Sequence, residues 1–231
     1  MASSIPSLFY LSDQDKSGAV KKIIDSSSPS MDFFFMLVVS GMLATIGLLI
    51  NNMAVVIGSM LVTPLLAPIL SLSLGVSMSD GDLIKRSAIV LGKSMALVLA
   101  LNTFIAFILF PYNNLQTEII QSFNPHIAYF YVAVLSGLAG TFAFVKPKLS
   151  AALPGVAIAV ALVPPLAAIS IGIATLNYQI FSGAFQMFLI NLIGIIFISL
   201  LVFSMMGFYS TRKIAHKEIS DENNKLGGKQ S

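Results

Sequence analysis

The stretch LVTPLLAP, residues 61–68, places two prolines inside a long apolar run. Proline has no backbone N–H and clashes with the carbonyl four residues earlier, which costs about 3 kcal/mol in a helix interior. Pro64 would leave the carbonyl of Met60 without its helical donor, and Pro68 would do the same for Pro64. We therefore predict a hydrophobic helix that is broken near its centre.

The composition around this stretch is that of an all-α integral membrane protein. Of the 231 residues, 56% are hydrophobic and 10% are charged, whereas a soluble domain has about 25% charged residues. A bilayer core about 30 Å thick needs about 20 apolar residues per helix. Six apolar segments meet or approach this length and predict six transmembrane helices: about 33–50, 53–77, 87–110, 127–145, 150–176 and 185–209.

The basic residues predict the topology. Twelve of the thirteen lie before the first segment or after the second, fourth and sixth: Lys16, Lys21, Lys22, Lys85, Arg86, Lys146, Lys148, Arg212, Lys213, Lys217, Lys225 and Lys229. The links after the first, third and fifth segments contain none. By the positive-inside rule, both termini are cytoplasmic and the 61–68 segment crosses completely. The pI of about 9.1 is thus explained by topology, and no nucleic-acid partner is expected.

An internal repeat divides the chain into two halves. A shift of 100 residues places LVTPLLAPI (61–69) on ALVPPLAAI (161–169), so that Pro64 aligns with Pro164. Each half has three segments, an odd number, which predicts two inverted three-helix repeats with proline-broken second and fifth helices. The expected organisation is a polar cytoplasmic segment (1–30), the first repeat (31–110), an external loop (111–126), the second repeat (127–209) and a basic cytoplasmic tail (210–231).

The two breaks predict a polar site near the middle of the membrane. Carbonyls released by proline must face protein, water or a ligand, because hydrocarbon cannot satisfy them. The residues expected along a substrate or ion path are Ser59, Met60, Thr63, Pro64, Pro68, Lys93, Asn102, Val160, Ala161, Pro164, Pro165, Ser170 and Asn191. The alternative is that the prolines only produce packing kinks, which are common in membrane helices.

Three members of this set have a second interpretation. Lys93 is the one charge inside a predicted span, and it contacts an anion, gates a path, or extends its long stem back to the interface. Asn102 and Asn191 lie in the third and sixth segments, where they line the path or form interhelical hydrogen bonds. At the start of the third helix, Asp80 or Asp82 is expected to act as the cap.

The remaining chemistry excludes several functional classes. All ten carboxylates lie outside the predicted spans, which disfavours a proton relay. The chain has no Cys and no paired His with Glu, so neither an enzyme, a metal nor a cofactor is expected. The leading prediction is a small secondary transporter or channel for a small solute or ion in the cell membrane. The alternative is a non-transporting scaffold or partner-binding subunit, and in both cases we expect a homo-oligomer in the lipid bilayer.

Three stretches of the sequence carry a family resemblance. They are GLLINNMAVVIGSMLVTPLLAPILSLSLGVSMSDG, LSAALPGVAIAVALVPPLAAISIGIA and FLINLIGIIFISLLVF. Over residues 33–208 the chain resembles the prokaryotic membrane family called domain of unknown function 389. The resemblance implies a membrane location and a prokaryotic origin, and it implies no substrate.

Overall fold

The protein is helical throughout the part that the computed structural model describes, residues 9–109, 123, 126–152 and 162–227. No strand occurs there, which confirms the all-α prediction. The helices are α1 (Asp13–Ser26), α2 (Met31–Leu49), α3 (Met53–Val62), α4 (Leu66–Ser77), α5 (Gly81–Leu109), α6 (Ile127–Val145), α7 (Val163–Ala174), α8 (Tyr178–Met205) and α9 (Arg212–Gly227). Two short 3-10 helices cover Pro147–Ala152 and Phe208–Thr211.

Within the described ranges, four helices are long and apolar enough to cross a membrane, namely α2, α5, α6 and α8. The pair α3 and α4 would form a fifth crossing, bent by 49° at its break, and α7 is a shorter apolar helix. The chain therefore has the helices of a multi-pass membrane protein. Both α5 and α8 begin earlier than the predicted segments, because polar residues interrupt the apolar sequence in their first two turns, Asp82, Lys85 and Arg86 in α5 and Gln179 and Ser182 in α8.

Two polar helices, α1 and α9, pack against each other at one end of the bundle. Lys21 Nζ lies 3.5 Å from a Glu218 carboxylate oxygen, and Lys16 Nζ donates to the Gly207 carbonyl just after α8. Lys22 lies over the Phe144 ring near the end of α6. These contacts place the three lysines of α1 beside α9 and beside the ends of α6 and α8. We call this end of the molecule the basic end.

The same type of tight turn connects three pairs of consecutive helices: α2 to α3, α4 to α5 and α7 to α8. In each, an Asn or Asp caps the new helix and lies five residues after a Gly, whose carbonyl accepts the backbone N–H of the cap at 2.8 or 2.9 Å. The pairs are Gly47 with Asn52, Gly75 with Asp80, and Gly172 with Asn177. The cap's Oδ1 accepts hydrogen bonds from the new helix. Asp80 is thus the cap of α5, one of the two residues expected there.

These turns fix the register between the two halves. Leu66 and Val163, which begin α4 and α7, are 97 residues apart, and the same spacing separates Asp80 from Asn177. The predicted shift of 100 is therefore wrong, because it matched prolines that occupy different positions. In the structural register Pro165 corresponds to Pro68, while Pro64 corresponds to a residue outside the described part of the chain.

The short helices α4 and α7, which we call the half-helices, each pack on the long helices of both halves. In the first half α4 contacts α5 and also α8, and in the second half α7 contacts α8 and also α5. Ser73 Oγ reaches the Ile196 carbonyl on α8 at 3.5 Å, and Ser170 Oγ reaches the Leu99 carbonyl on α5 at 3.4 Å. The two donors are 97 residues apart, and so are the two acceptors. The two contacts are therefore equivalent.

Candidate polar site between the half-helices

The break between α3 and α4 is centred on Pro64, as predicted. Thr63 has extended backbone angles, which the residue before a proline favours, and α4 begins only at Leu66. Neither α4 nor α7 has a side-chain hydrogen bond at its N-cap, which is a leucine in both cases. Two helix N-termini therefore begin in the apolar part of the sequence without side-chain caps.

The other prolines do not break a described helix. Pro68 lies in the first turn of α4, and Pro164 and Pro165 lie in the first turn of α7. A first-turn proline is tolerated because its missing N–H would have no helical acceptor. The prediction that Pro68 interrupts a continuous helix is therefore wrong. Val160 and Ala161, whose carbonyls were expected to be released, lie outside the described residues.

Hydroxyl groups near the first break form hydrogen bonds with a neighbouring helix or within their own helix. Thr63 Oγ1 donates to Ser40 Oγ on α2, and Ser40 in turn donates to the Leu37 carbonyl at 2.9 Å. Ser59 is buried and donates to the Val56 carbonyl at 2.6 Å. In the structure, Thr63 and Ser59 are thus engaged in helix packing, with Thr63 remaining partly exposed.

A polar side chain lies at the level of each half-helix N-terminus. Ser170 of α7 marks the level of Leu99 on α5, and these helices run in the same direction away from the basic end. Five residues earlier on both helices, about 7 Å along the axis, Pro165 is level with Ser94. By the same argument Pro68 is level with Asn191 on α8. Ser94 and Asn191 are both buried, and they correspond in the repeat.

The second polar feature is the interface between α2 and α5. Asn102 is 1% exposed and packs on Gly41, where a Cβ would lie 2.9 Å from its Oδ1. Among the described residues, Asn102 Nδ2, Thr45 Oγ1 and Ser94 Oγ are buried and have no hydrogen-bond partner. Of the two alternatives for Asn102, the interhelical hydrogen bond is thus not formed by its amide nitrogen within this part of the chain.

The equivalent interface of the second half is closed. Gly137 on α6 packs against Ile195 on α8, as Gly41 packs against Val98 in the first half. One turn further along, Thr141 Oγ1 donates to Ser199 Oγ at 2.9 Å. Asn102 therefore corresponds to Ser199 and not to Asn191. An unpaired buried polar group costs about 1–3 kcal/mol, so within the described residues of the two interfaces the unpaired polar atoms of α2 and α5 are able to receive a ligand or water.

Lys93 does not belong to this site. It lines a cavity at the basic end together with Lys85, Arg86 and residues of α9. None of Pro64, Pro68, Pro164 and Pro165 is among the described residues that line this cavity. Of the alternatives for Lys93, this position favours a stem that extends to the end of the span over a place in the path. The sequence could not show this, because the helix α9 that forms the opposite wall lies within what reads as a polar tail.

A further group of polar residues, unexpected from the sequence, lies beside the same cavity. Asp80, Asp82 and His216 offer ligand atoms within 4.8 Å of one another. Asp80 is fully buried, its Oδ2 lies 3.1 Å from His216 Nε2 without hydrogen-bond geometry, and Arg212 Nε is 3.9 Å away. Because the Arg212 guanidinium already faces this carboxylate, the arrangement is explained as an ionic contact that attaches α9 to the start of α5.

Comparison with known proteins gives a family without an assigned activity. Residues 60–197 match the family described as "Domain of unknown function (DUF389)". An uncharacterized protein of Methanocaldococcus jannaschii is 30% identical over 183 residues, covering 79% of this chain and 57% of that protein. The chain thus spans little more than half the length of this relative, and no solved structure matches. The family match covers more than half of the sequence, and the chain belongs to the domain of unknown function 389 family.

Proposed function

We propose that the chain is a small secondary transporter or channel for a small polar solute or ion. In this proposal six spans form two inverted three-helix repeats in the cell membrane, with both termini in the cytoplasm. The observation that carries it is the pair of half-helices, α4 and α7, which begin at corresponding positions inside the bundle. Interrupted helices in matching positions of two halves form the midplane sites of many secondary transporters. The expected homo-oligomer stays a prediction.

The direction of the helices supports a complete crossing by α3 and α4. The 19 residues of α2 extend about 28 Å from the basic end to the opposite end. From there α3 and α4 run back, and α4 ends beside Asp80, which contacts His216 of α9 at the basic end. A re-entrant hairpin would return to the side on which it began, and this pair does not.

The available groups favour a cation or a neutral polar solute over an anion. Pro164 and Pro165 remove two backbone donors from the first turn of α7, so this N-terminus offers an anion little. Pro64 instead leaves the carbonyl of Met60 without its helical donor, and carbonyl oxygens can replace the hydration shell of a cation. Lys93, the cation that would have favoured an anion, lines the cavity at the basic end.

A flux assay with matched variants tests this proposal. The purified full chain is reconstituted in proteoliposomes and assayed with inorganic cations and small neutral polar solutes. We expect Asn102→Leu, which removes the unpaired amide, to reduce flux about tenfold, the equivalent of one lost buried hydrogen bond. The control is Ser199→Ala at the corresponding position of the closed interface, where we expect flux to stay within about twofold of wild type.

Two results would contradict the proposal. If no solute or ion crosses under any gradient, the alternative of a non-transporting scaffold or partner-binding subunit replaces it. If flux occurs but Asn102→Leu and Ser199→Ala leave it equally unchanged, the path does not pass between α2 and α5. Thermal unfolding of each variant in detergent establishes that a loss of flux is not a loss of folding.

A further inference from the structure

The cavity at the basic end is large enough for a ligand headgroup. Its volume is about 750 Å³, and it lies between the first turns of α5 and the helix α9. From α5 it is lined by three basic side chains, Lys85, Arg86 and Lys93, and by the acidic Asp82. From α9 it is lined by His216 and Ile219, among others.

The positive charge available in this cavity comes from Lys85 and Lys93, because Arg86 has a partner of its own. The carboxylate in the lining, Asp82, has its Oδ2 3.9 Å from His216 Nδ1. Lys85 and Lys93 form no ion pair with any residue in the described part of the chain. Placing uncompensated cations together in a partly enclosed space creates a positive potential that attracts an anion.

The cavity continues into an apolar stripe along α5. Lys85, Ile89 and Lys93 are spaced four residues apart, so they share one helix face, and Lys93 lies about 12 Å beyond Lys85 along the axis. Beyond Lys93 the same face carries Ala96 and Ala100, both exposed, and then Phe104, which is 63% exposed. Cationic groups at one end and a small-residue apolar stripe at the other match an amphiphile.

We propose that this cavity binds the headgroup of an anionic phospholipid, with an acyl chain along the Ala96–Ala100 face. The ammonium groups of Lys85 and Lys93 would contact the phosphate from two levels, as lysine binds phosphate as a compact charge. Basic pockets between membrane helices on the cytoplasmic side bind anionic lipid headgroups. The proposal requires only that the helices lie in a membrane, and it stands or fails independently of transport.

Lipid titration of the detergent-solubilised full chain, followed by native mass spectrometry, tests the proposal. The probes are dioleoylphosphatidylglycerol, dioleoylphosphatidylcholine and, as soluble anions, glycerol phosphate and inorganic phosphate. We expect phosphatidylglycerol to bind at least about tenfold more tightly than phosphatidylcholine. Lys85→Met and Lys93→Met should each weaken phosphatidylglycerol binding about fivefold, the contribution typical of one interfacial lysine.

The matched control is Lys213→Met, which removes an exposed positive charge from α9 outside the cavity lining. It should change phosphatidylglycerol binding by less than about twofold, and Lys93→Arg should retain binding because the charge is kept. Equal binding of the two lipids, or equal effects of Lys93→Met and Lys213→Met, would overturn the proposal. Glycerol phosphate or inorganic phosphate binding as tightly as the lipid would also overturn it, in favour of a soluble anion.

Discussion

The turns after α4 and α7 have the same backbone and different chemistry. Both have a Gly carbonyl bonded to the cap N–H at 2.9 Å, and the residue before the cap has φ of 51° or 52°. The cap is Asp80 in the first half and Asn177 in the second. The Asp is fully buried and faces Arg212 and His216 of α9, whereas the Asn177 Oδ1 accepts hydrogen bonds from the first turn of its own helix.

The backbone of the turn is shared by both turns, whereas the negative charge on the cap occurs in one of them. The shared Gly and cap oxygen set the turn and therefore the antiparallel packing of α4 on α5 and of α7 on α8. The negative charge is added only at the basic end, where it contacts the cationic face of α9. The Gly and the cap residue thus determine the backbone of the turn, and the end of the bundle at which the turn lies determines the charge of the cap.

The largest expected effect comes from closing the space at the turn glycines. A Cβ on Gly172 would lie 2.7 Å from the backbone nitrogen of Phe181, and one on Gly75 would lie 3.0 Å from that of Ile84. We expect Gly172→Ala to lower the free energy of unfolding by about 2–3 kcal/mol and Gly75→Ala by about 1 kcal/mol. Unfolding in detergent, followed by circular dichroism, measures both.

The control for the glycine pair is Gly58→Ala in α3, where a Cβ would meet no atom within 4 Å. Its stability should rise by about 0.5–1 kcal/mol, because alanine is the better helix former. Should Gly172→Ala and Gly75→Ala prove as stable as wild type, the close approach at the two turns is not what sets the helix packing.

The next effect distinguishes the two caps. Asn177→Ala should cost about 1 kcal/mol for the lost cap. Asp80→Ala should cost about 2 kcal/mol, because it also loses the contacts with His216 and Arg212, whose side chains are 46% and 47% exposed. Chemical denaturation of the two variants under identical detergent conditions gives the difference.

Asp80→Asn isolates the charge, since the amide oxygen can still cap α5. It should cost about 1 kcal/mol and increase the rate of limited proteolysis in α9. The comparison fails if Asp80→Ala and Asn177→Ala are equally destabilising, since the charge would then add nothing to the turn.

The smallest effect concerns the left-handed residues before the caps. Leu176 has φ of 52° and is 91% exposed, so it has few contacts to lose. Leu176→Gly should raise the free energy of unfolding by about 0.5–1 kcal/mol, because glycine adopts this conformation without a steric cost. Asn51→Gly, at φ of 53°, should change it less, because Asn already tolerates the left-handed region. Thermal shifts of the two variants test the order, and an equal shift would contradict it.

The sequence predicted the elements that follow from local chemistry. Pro64 ends α3 as expected, and one of the two candidate aspartates caps α5. Each of these depends on one residue type acting on its neighbours, and composition and proline chemistry are enough to reveal it.

The alignment of the first half of the sequence with the second could not be predicted from the prolines. A first-turn proline and a proline between helices look alike in an apolar run, and matching them gave a shift of 100 instead of 97. The signal that carries the register is the Gly followed five residues later by Asp or Asn, as in Gly75–Asp80 and Gly172–Asn177. The surroundings of Lys93 could not be predicted for a different reason, since they depend on the distant helix α9.

The exchange of partners between the halves has a consequence for synthesis of the chain. Ser73 and Ile196 are 123 residues apart, so at about 5–20 residues per second the hydroxyl emerges about 6–25 s before its acceptor. During this interval α4 has only its own half to pack on, with Ser71 already able to accept from Ser87. The first half therefore stays incompletely packed in the bilayer until α8 has been synthesised and packs against α4.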